Sequence, residues 1–101
     1  MTQLTVTIWG ETDTIILEKT NYSNNGNLAI VATDEEGMPW GNITVNTHVK
    51  LPENMACVDT NNIPGIVNTL SDAGIAKLTD KTINPGGFVD YPVMIFDLSK
   101  L

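Results

Sequence analysis

The sequence contains no arginine, and this absence bears directly on the kind of partner that the protein can bind. Its basic side chains are five lysines, against twelve Asp and Glu residues, so the formal net charge is -7. Proteins that wrap nucleic acid need clustered Lys or Arg for the phosphates, and bidentate contacts to phosphate or guanine need Arg. We therefore expect no direct binding of nucleic acid and instead expect a partner protein with a basic surface.

Cysteine and long apolar runs are also scarce. Cys57 is the single cysteine, so the chain forms no internal disulfide and is compatible with a reducing compartment. No apolar run approaches the roughly 20 residues of a membrane span, and the N-terminus has no basic stretch typical of a secretory leader. These absences predict a cytoplasmic protein that does not bind membranes. The length predicts a single domain over residues 1–101.

The N-terminal half has the pattern of an antiparallel meander. Residues 3–9 alternate apolar side chains with Thr, which is typical of a half-buried strand. Further strands are predicted at 14–19, 27–33 and 40–45, with turn residues between them.

The hairpin from Asn24 to Asn46 is the centre of this meander. Asn25-Gly26 favours a turn with positive φ at its start, and three acidic residues lie at its tip. Pro39 lacks an N–H donor, so it should open the fourth strand or lie outside its ladder.

The C-terminal half contains one clear helix signal. Asn62 is the expected N-cap, and Pro64 is tolerated in the first turn, where N–H groups lack intrahelical partners. Apolar residues then follow at the i, i+3, i+4, i+7 spacing of one helix face, until Gly74 ends the helix.

The segments around this helix complete the predicted fold. Residues 46–54 are expected to form a loop or a short irregular edge segment, and residues 55–58 a brief strand. Residues 77–87 are expected to form a polar connection, followed by one or two strands over 88–98 that Pro92 interrupts. The fold class is α+β: a mainly antiparallel β-sheet, a meander of about four strands plus the C-terminal strand or strands, with one α-helix packed on it.

No catalytic motif is present, and we expect neither a catalytic residue, a cofactor nor a metal ion. Cys57 could be the nucleophile of a small hydrolase with His48 as its general base, but no third group is marked to orient them. A loop histidine and a small buried thiol are the simpler interpretation. One His and one Cys are too few for zinc, and residues 34–37 lack the spacing of a calcium loop.

The meander predicts a charged surface instead. The turns after the first and third strands lie at the same end of an up-and-down sheet. The alternation of side chains along the strands predicts that the indoles of Trp9 and Trp40 point away from the main core, towards that end. An aromatic pair beside carboxylates is typical of protein-binding surfaces. The candidate protein-binding residues are therefore Glu11, Asp13, Asp34, Glu35, Glu36, Trp9 and Trp40. The alternative is that the charged turns are simply solvated and that both indoles are covered.

A set of short motifs resembles an uncharacterised family of small proteins carried by phages and conjugative elements of Gram-positive bacteria. The resemblance spans nearly the whole chain as a pattern of fold positions, with Trp40 where a Tyr is expected and a departure before Phe88. The motifs are Tyr22, Asn25-Gly26, Leu28-Ala29-Ile30, Gly37-Met38-Pro39-Trp40, Ile43-Thr44-Val45-Asn46, Asp59, Asn61-Asn62, Gly74-Ile75-Ala76 and Gly87-Phe88-Val89-Asp90-Tyr91-Pro92-Val93. The resemblance implies a counter-defence or regulatory protein and no catalytic residues.

These expectations combine into one leading function and one alternative. The leading hypothesis is a non-enzymatic inhibitor, of the anti-CRISPR or antirestriction type, that occupies the basic nucleic-acid-binding surface of a host nuclease. The alternative is a structural or assembly protein of the mobile element that forms a homo-oligomer through a sheet edge, for which the Thr-rich first strand is suited.

Overall fold

A computed structural model describes residues 2–101 and contains two four-stranded antiparallel sheets. The first sheet has the order β1-β2-β3-β4, so each strand pairs with its neighbour in sequence. Its strands are β1 (Thr2–Ile8), β2 (Glu11–Asn21), β3 (Leu28–Asp34) and β4 (Pro39–Asn42). The four-stranded meander predicted from the sequence is thereby confirmed, and Pro39 opens its fourth strand.

The second sheet was not expected, and it changes the fourth predicted strand. Its strands, in the order β5-β6-β8-β7, are β5 (Thr44–Val45), β6 (Met55–Val58), β7 (Ala76–Ile83) and β8 (Tyr91–Phe96). The prediction of one strand over 40–45 was wrong, because the chain leaves the first sheet at Ile43. The N–H of Ile43 donates to the carbonyl of Ile30, and the Ile43 carbonyl accepts from Asp59, each at 2.9 Å. Ile43 therefore connects the two sheets at a bend.

Two predictions for the C-terminal segment were also wrong. The supposed polar connection over 77–87 largely forms β7, whose polar sequence fits an outer strand with mostly exposed side chains. Pro92 does not interrupt β8. It lies opposite Thr82 of β7, beyond the last residue that pairs with β6, so its missing N–H removes no bond to β6.

The helix α1 (Ile66–Asp72) begins later than predicted. Asn62 does not cap it; Gly65, with φ of 81°, precedes the first helical residue instead. The left-handed conformation of Gly65 accounts for the delay, because a residue in that region cannot continue a right-handed helix. The C-terminal prediction holds: Gly74 has φ of 71°, and the following Ile75 is buried.

The helix completes a core shared by both sheets. It contacts β7 and β1, which are outer strands of different sheets, and buries Ile66 and Leu70. Side chains from β1, β2, β3, β6, β7, β8 and α1 form one hydrophobic cluster, which includes Ile15, Leu17 and Phe96. The α+β class with one α-helix is confirmed, although the helix bridges two sheets rather than lying across one.

Two smaller features complete the description. A 3-10 helix spans Leu98–Lys100, and the Asp97 carboxylate accepts from the backbone N–H and hydroxyl of Ser99, which lowers the pKa of Asp97. Within residues 2–101, α1 is too short to cross a membrane, and no other helix has the length or apolarity to do so.

Candidate protein-binding site

A cleft lies where the β1–β2 hairpin passes the turn between β3 and β4. Its volume is about 400 Å³, and four carboxylates and one indole contribute to its lining. We call Asp13, Asp34, Glu35, Glu36 and Trp40 the acidic end. Thr12 and Thr14 also line this cleft, although their side chains carry no charge.

Strand register explains why the acidic end forms. Asp34 lies opposite Ile15 in the β2–β3 pair, and Asp13 lies two residues from Ile15 on the same face. The β3–β4 turn continues from Asp34 and therefore passes beside residues 12–14. The predicted convergence of the two turns is present for Asp13, Asp34, Glu35 and Glu36.

The turn that carries the two glutamates is held by Asp34. Its Oδ1 accepts from the backbone N–H groups of Glu36 and Met38, each at 2.9 Å. Gly37 has φ of 85°, a conformation that glycine adopts at low cost. Asp34 therefore has a structural role, while Glu35 and Glu36 remain exposed on a shaped turn.

Trp40 differs from the prediction. It is half-buried and packs against the hydrophobic cluster, so the expectation that both indoles point away from the core was wrong for this residue. The β3–β4 register shifts between Ala32 and Thr33, which places Trp40 outside the simple alternation used to predict its face. Its Nε1 donates to Oδ2 of Asp13 at 3.4 Å, a long hydrogen bond.

A second cleft lies on the other side of Trp40. Its volume is about 410 Å³, and Ile8, Gly41, Asn42 and Ile63 line it together with a polar pair that the sequence analysis missed. In that pair, Asn62 donates its backbone N–H and Nδ2 to the Asp59 carboxylate at 3.1 and 2.8 Å. The Asn-rich run after Asp59 is its only signal in the sequence, and the same run also fits a helix cap.

Trp9 and Glu11 lie apart from the acidic end. Trp9 occupies the turn between β1 and β2 and lines neither cleft, and its side chain is 89% exposed. Glu11 pairs with Ile8 at the end of the hairpin, beyond the residues of β2 that reach β3. Of the seven predicted residues, five therefore gather around one cleft and two lie at a separate hairpin tip.

The possible nucleophile Cys57 is buried, with 1% of its side chain exposed, and burial raises the pKa of its thiol. Both effects disfavour a reactive thiolate. His48 is exposed in the loop after β5. Across residues 2–101, no group of three His, Cys, Asp or Glu side chains is arranged to hold a metal ion. Among these described residues, the carboxylates of the acidic end therefore form no such group.

The opposite end of β3 is built from amides. Asn27 is 4% exposed; its Nδ2 donates to the Val49 carbonyl at 2.8 Å, and its Oδ1 accepts from Leu51 N–H at 3.0 Å. Asn25 donates to Asn46 Oδ1 at 3.2 Å and to the Thr47 carbonyl at 3.0 Å. We call residues 24–27 with 46–51 the amide end. The amide side chains of Asn25 and Asn27 join a turn to a loop and use their hydrogen-bonding groups within the protein.

Comparison with known proteins gives a family without an assigned activity. A search of curated proteins and a search of solved structures each returned no match. One family model matches, a domain of unknown function, over residues 16–101, which is all of the chain after Ile15. The chain therefore belongs to the uncharacterised family described as domain of unknown function DUF4313.

Proposed function

We propose that this protein is a small, non-enzymatic inhibitor encoded by a phage or other mobile element and active in the host cytoplasm. Its acidic end occupies the basic nucleic-acid-binding surface of a host defence nuclease, in the manner of an anti-CRISPR or antirestriction protein. The observation that carries the proposal is the gathering of Asp13, Asp34, Glu35 and Glu36 around one cleft. The net charge of -7 supports it.

The four carboxylates along one cleft complement the basic surface of a protein that binds nucleic acid. A nuclease presents lysines and arginines spaced to follow a phosphate backbone, and several separated carboxylates can pair with several of them. Trp40 adds an indole edge beside Asp13, and aromatic side chains are frequent at the centre of protein interfaces. Such contacts weaken with ionic strength, because the Debye length falls to about 8 Å at physiological salt.

Affinity capture followed by purification of the captured protein tests this proposal. The wild-type chain is expected to retain a basic host protein at low salt and release it at high salt, and to block binding of DNA by that purified protein. Absence of any salt-sensitive basic partner would remove the electrostatic basis of the proposal.

Paired charge variants locate the surface. Glu35→Gln with Glu36→Gln should weaken binding about tenfold at low salt, since each exposed charge pair contributes roughly 0.2–1 kcal/mol. Glu18→Gln with Glu53→Gln is the matched control: both residues are exposed, neither lines the acidic cleft, and the net charge changes equally. Equal losses for the two pairs would show that only total charge matters.

The self-associating assembly protein stays the alternative prediction. It requires a sheet edge that accepts another strand, and α1 contacts β1, the strand proposed for this role. Light scattering of the purified chain distinguishes the two functions, because an inhibitor can act as a monomer whereas an assembly protein forms a stable oligomer.

A further inference from the structure

The turn between β1 and β2 places a tryptophan in an unfavourable backbone conformation. Ile8 pairs with Glu11, so Trp9 and Gly10 form a two-residue hairpin loop. Their φ angles are 53° and 81°, and Trp9 is the only non-glycine residue among 2–101 with positive φ. Two positive φ values identify a type I′ turn, which strongly prefers Asn, Asp or Gly at the first position. A bulky side chain in the left-handed region costs free energy.

Burial does not compensate for this cost. The Trp9 side chain is 89% exposed and lies outside the hydrophobic cluster. The hairpin end has its own stabilising contact, since the hydroxyls of Thr7 and Thr12 are hydrogen-bonded at 3.0 Å. The left-handed backbone and the exposure of an apolar side chain to water therefore both disfavour an indole here in the isolated chain.

The position of the turn allows the indole to reach a concave surface of a partner protein. Residues 11–14 of β2 extend past the last β3 residue, Asp34, which pairs with Ile15. Four residues of antiparallel strand correspond to about 13 Å. The β3–β4 turn accompanies the part near Thr12 and Thr14, whereas Trp9 and Gly10 lie beyond it. Trp9 thus lies at the exposed tip of the hairpin, while Ile8 beside it packs against the hydrophobic cluster.

We propose that Trp9 is an anchor that inserts into an apolar pocket of the partner protein, bordered by lysine or arginine side chains. This inference rests on the proposed function and specifies its partner. Glu11 follows the tip directly and Asp13 lies two residues further, so a basic rim complements the flanks of the hairpin. An indole gains the most from a desolvated pocket, and Lys or Arg can also stack on its face.

Replacement of Trp9 by asparagine separates folding from binding. Trp9→Asn introduces a residue that a type I′ turn prefers, so we expect the melting temperature to rise. Against the purified partner, the same variant should lose at least about thirtyfold in affinity, the size expected for a buried anchor. The loss should persist at high salt, whereas the loss in the Glu35→Gln, Glu36→Gln variant should be largest at low salt.

Phe88→Asn is the matched control, because Phe88 is also fully exposed but lies in the loop between β7 and β8. It should leave affinity unchanged. A lower melting temperature for Trp9→Asn would overturn the inference, since the indole would then be structural. Unchanged affinity in Trp9→Asn would overturn it while the proposed function stands. Failure of the wild-type chain to bind any basic protein would remove the proposed function and the anchor together.

Discussion

The two turns at the ends of β3 use their polar side chains in opposite ways. At the amide end, Asn25 and Asn27 direct their side chains inward and hydrogen-bond to the loop after β5. At the acidic end, Asp34 holds the local turn, while Glu35 and Glu36 remain exposed. Both segments are polar in sequence, so polarity alone does not distinguish a structural turn from one that is open to a partner.

The difference follows from side-chain chemistry. An amide offers a donor and an acceptor without charge, so it can be buried when both are paired. A carboxylate is costly to bury without a cationic partner and remains in water at a turn tip. The amide end is therefore expected to contribute stability, and the acidic end to contribute binding.

Asn27→Ala is expected to produce the largest effect. It removes two side-chain hydrogen bonds and leaves the Val49 carbonyl and Leu51 N–H without their partner, at a cost of about 2–3 kcal/mol. Urea unfolding measures the change. The control is Asn42→Ala, an exposed asparagine on β4 near Trp40, which should change stability by less than about 0.5 kcal/mol. Similar losses for both variants would break the contrast between the two ends.

The two tryptophans extend this comparison to one side chain at the acidic end and one at the tip of the β1–β2 hairpin. Trp40→Ala should lower the free energy of unfolding by about 2 kcal/mol, because it removes a large side chain that is half-buried against the core. Trp9→Ala should leave stability within about 0.5 kcal/mol of wild type, because the exposed indole buries little surface. Thermal and urea unfolding of both variants provide the comparison. A large loss for Trp9→Ala would show that the hairpin tip is part of the fold.

Asp34 tests whether the acidic turn has a structural component. Asp34→Ala removes the acceptor for two backbone N–H groups and should cost about 1 kcal/mol. Asp34→Asn retains an acceptor oxygen and should recover most of that loss, although the charge is gone. If Asp34→Asn is as unstable as Asp34→Ala, the charge rather than the hydrogen bonding holds the turn.

Cys57 provides the smallest effect and a kinetic readout. Burial raises its pKa above the unfolded value, so its contribution to stability is complete below the unfolded pKa and is lost as pH rises through the folded pKa. At pH values above about 8.5, the free energy of unfolding should therefore show a small decline. A Cys57→Ala chain should lack this decline; a decline of the same size in that chain would assign it to other groups.

The same thiol reports on the two ends. Cys57 pairs with Val45, the residue that leads into the amide end. A thiol reagent should therefore modify Cys57 faster in Asn27→Ala than in wild type, and at the wild-type rate in Trp9→Ala. Equal acceleration in both variants would show that the ends are not independent.

Some elements were predictable because their patterns are local. The alternation in β1, the turn at Asn25-Gly26 and the end of the helix at Gly74 each depend on a few consecutive residues. Convergence of Asp13 with residues 34–36 followed from strand direction alone. The bend at Ile43, the strand β7 and the face of Trp40 depend on pairing with distant residues, which a single sequence does not display.

Periodicity and turn chemistry are properties of adjacent residues, so the sequence alone was enough to predict the antiparallel meander, the charge and the carboxylates in two turns that meet. The positions of the two tryptophans depend instead on tertiary packing: Trp40 packs against the core, whereas Trp9 projects from it. A register shift controls the first, and the left-handed turn at Trp9-Gly10 controls the second. The same type of side chain is therefore part of the packing at Trp40 and exposed to solvent at Trp9.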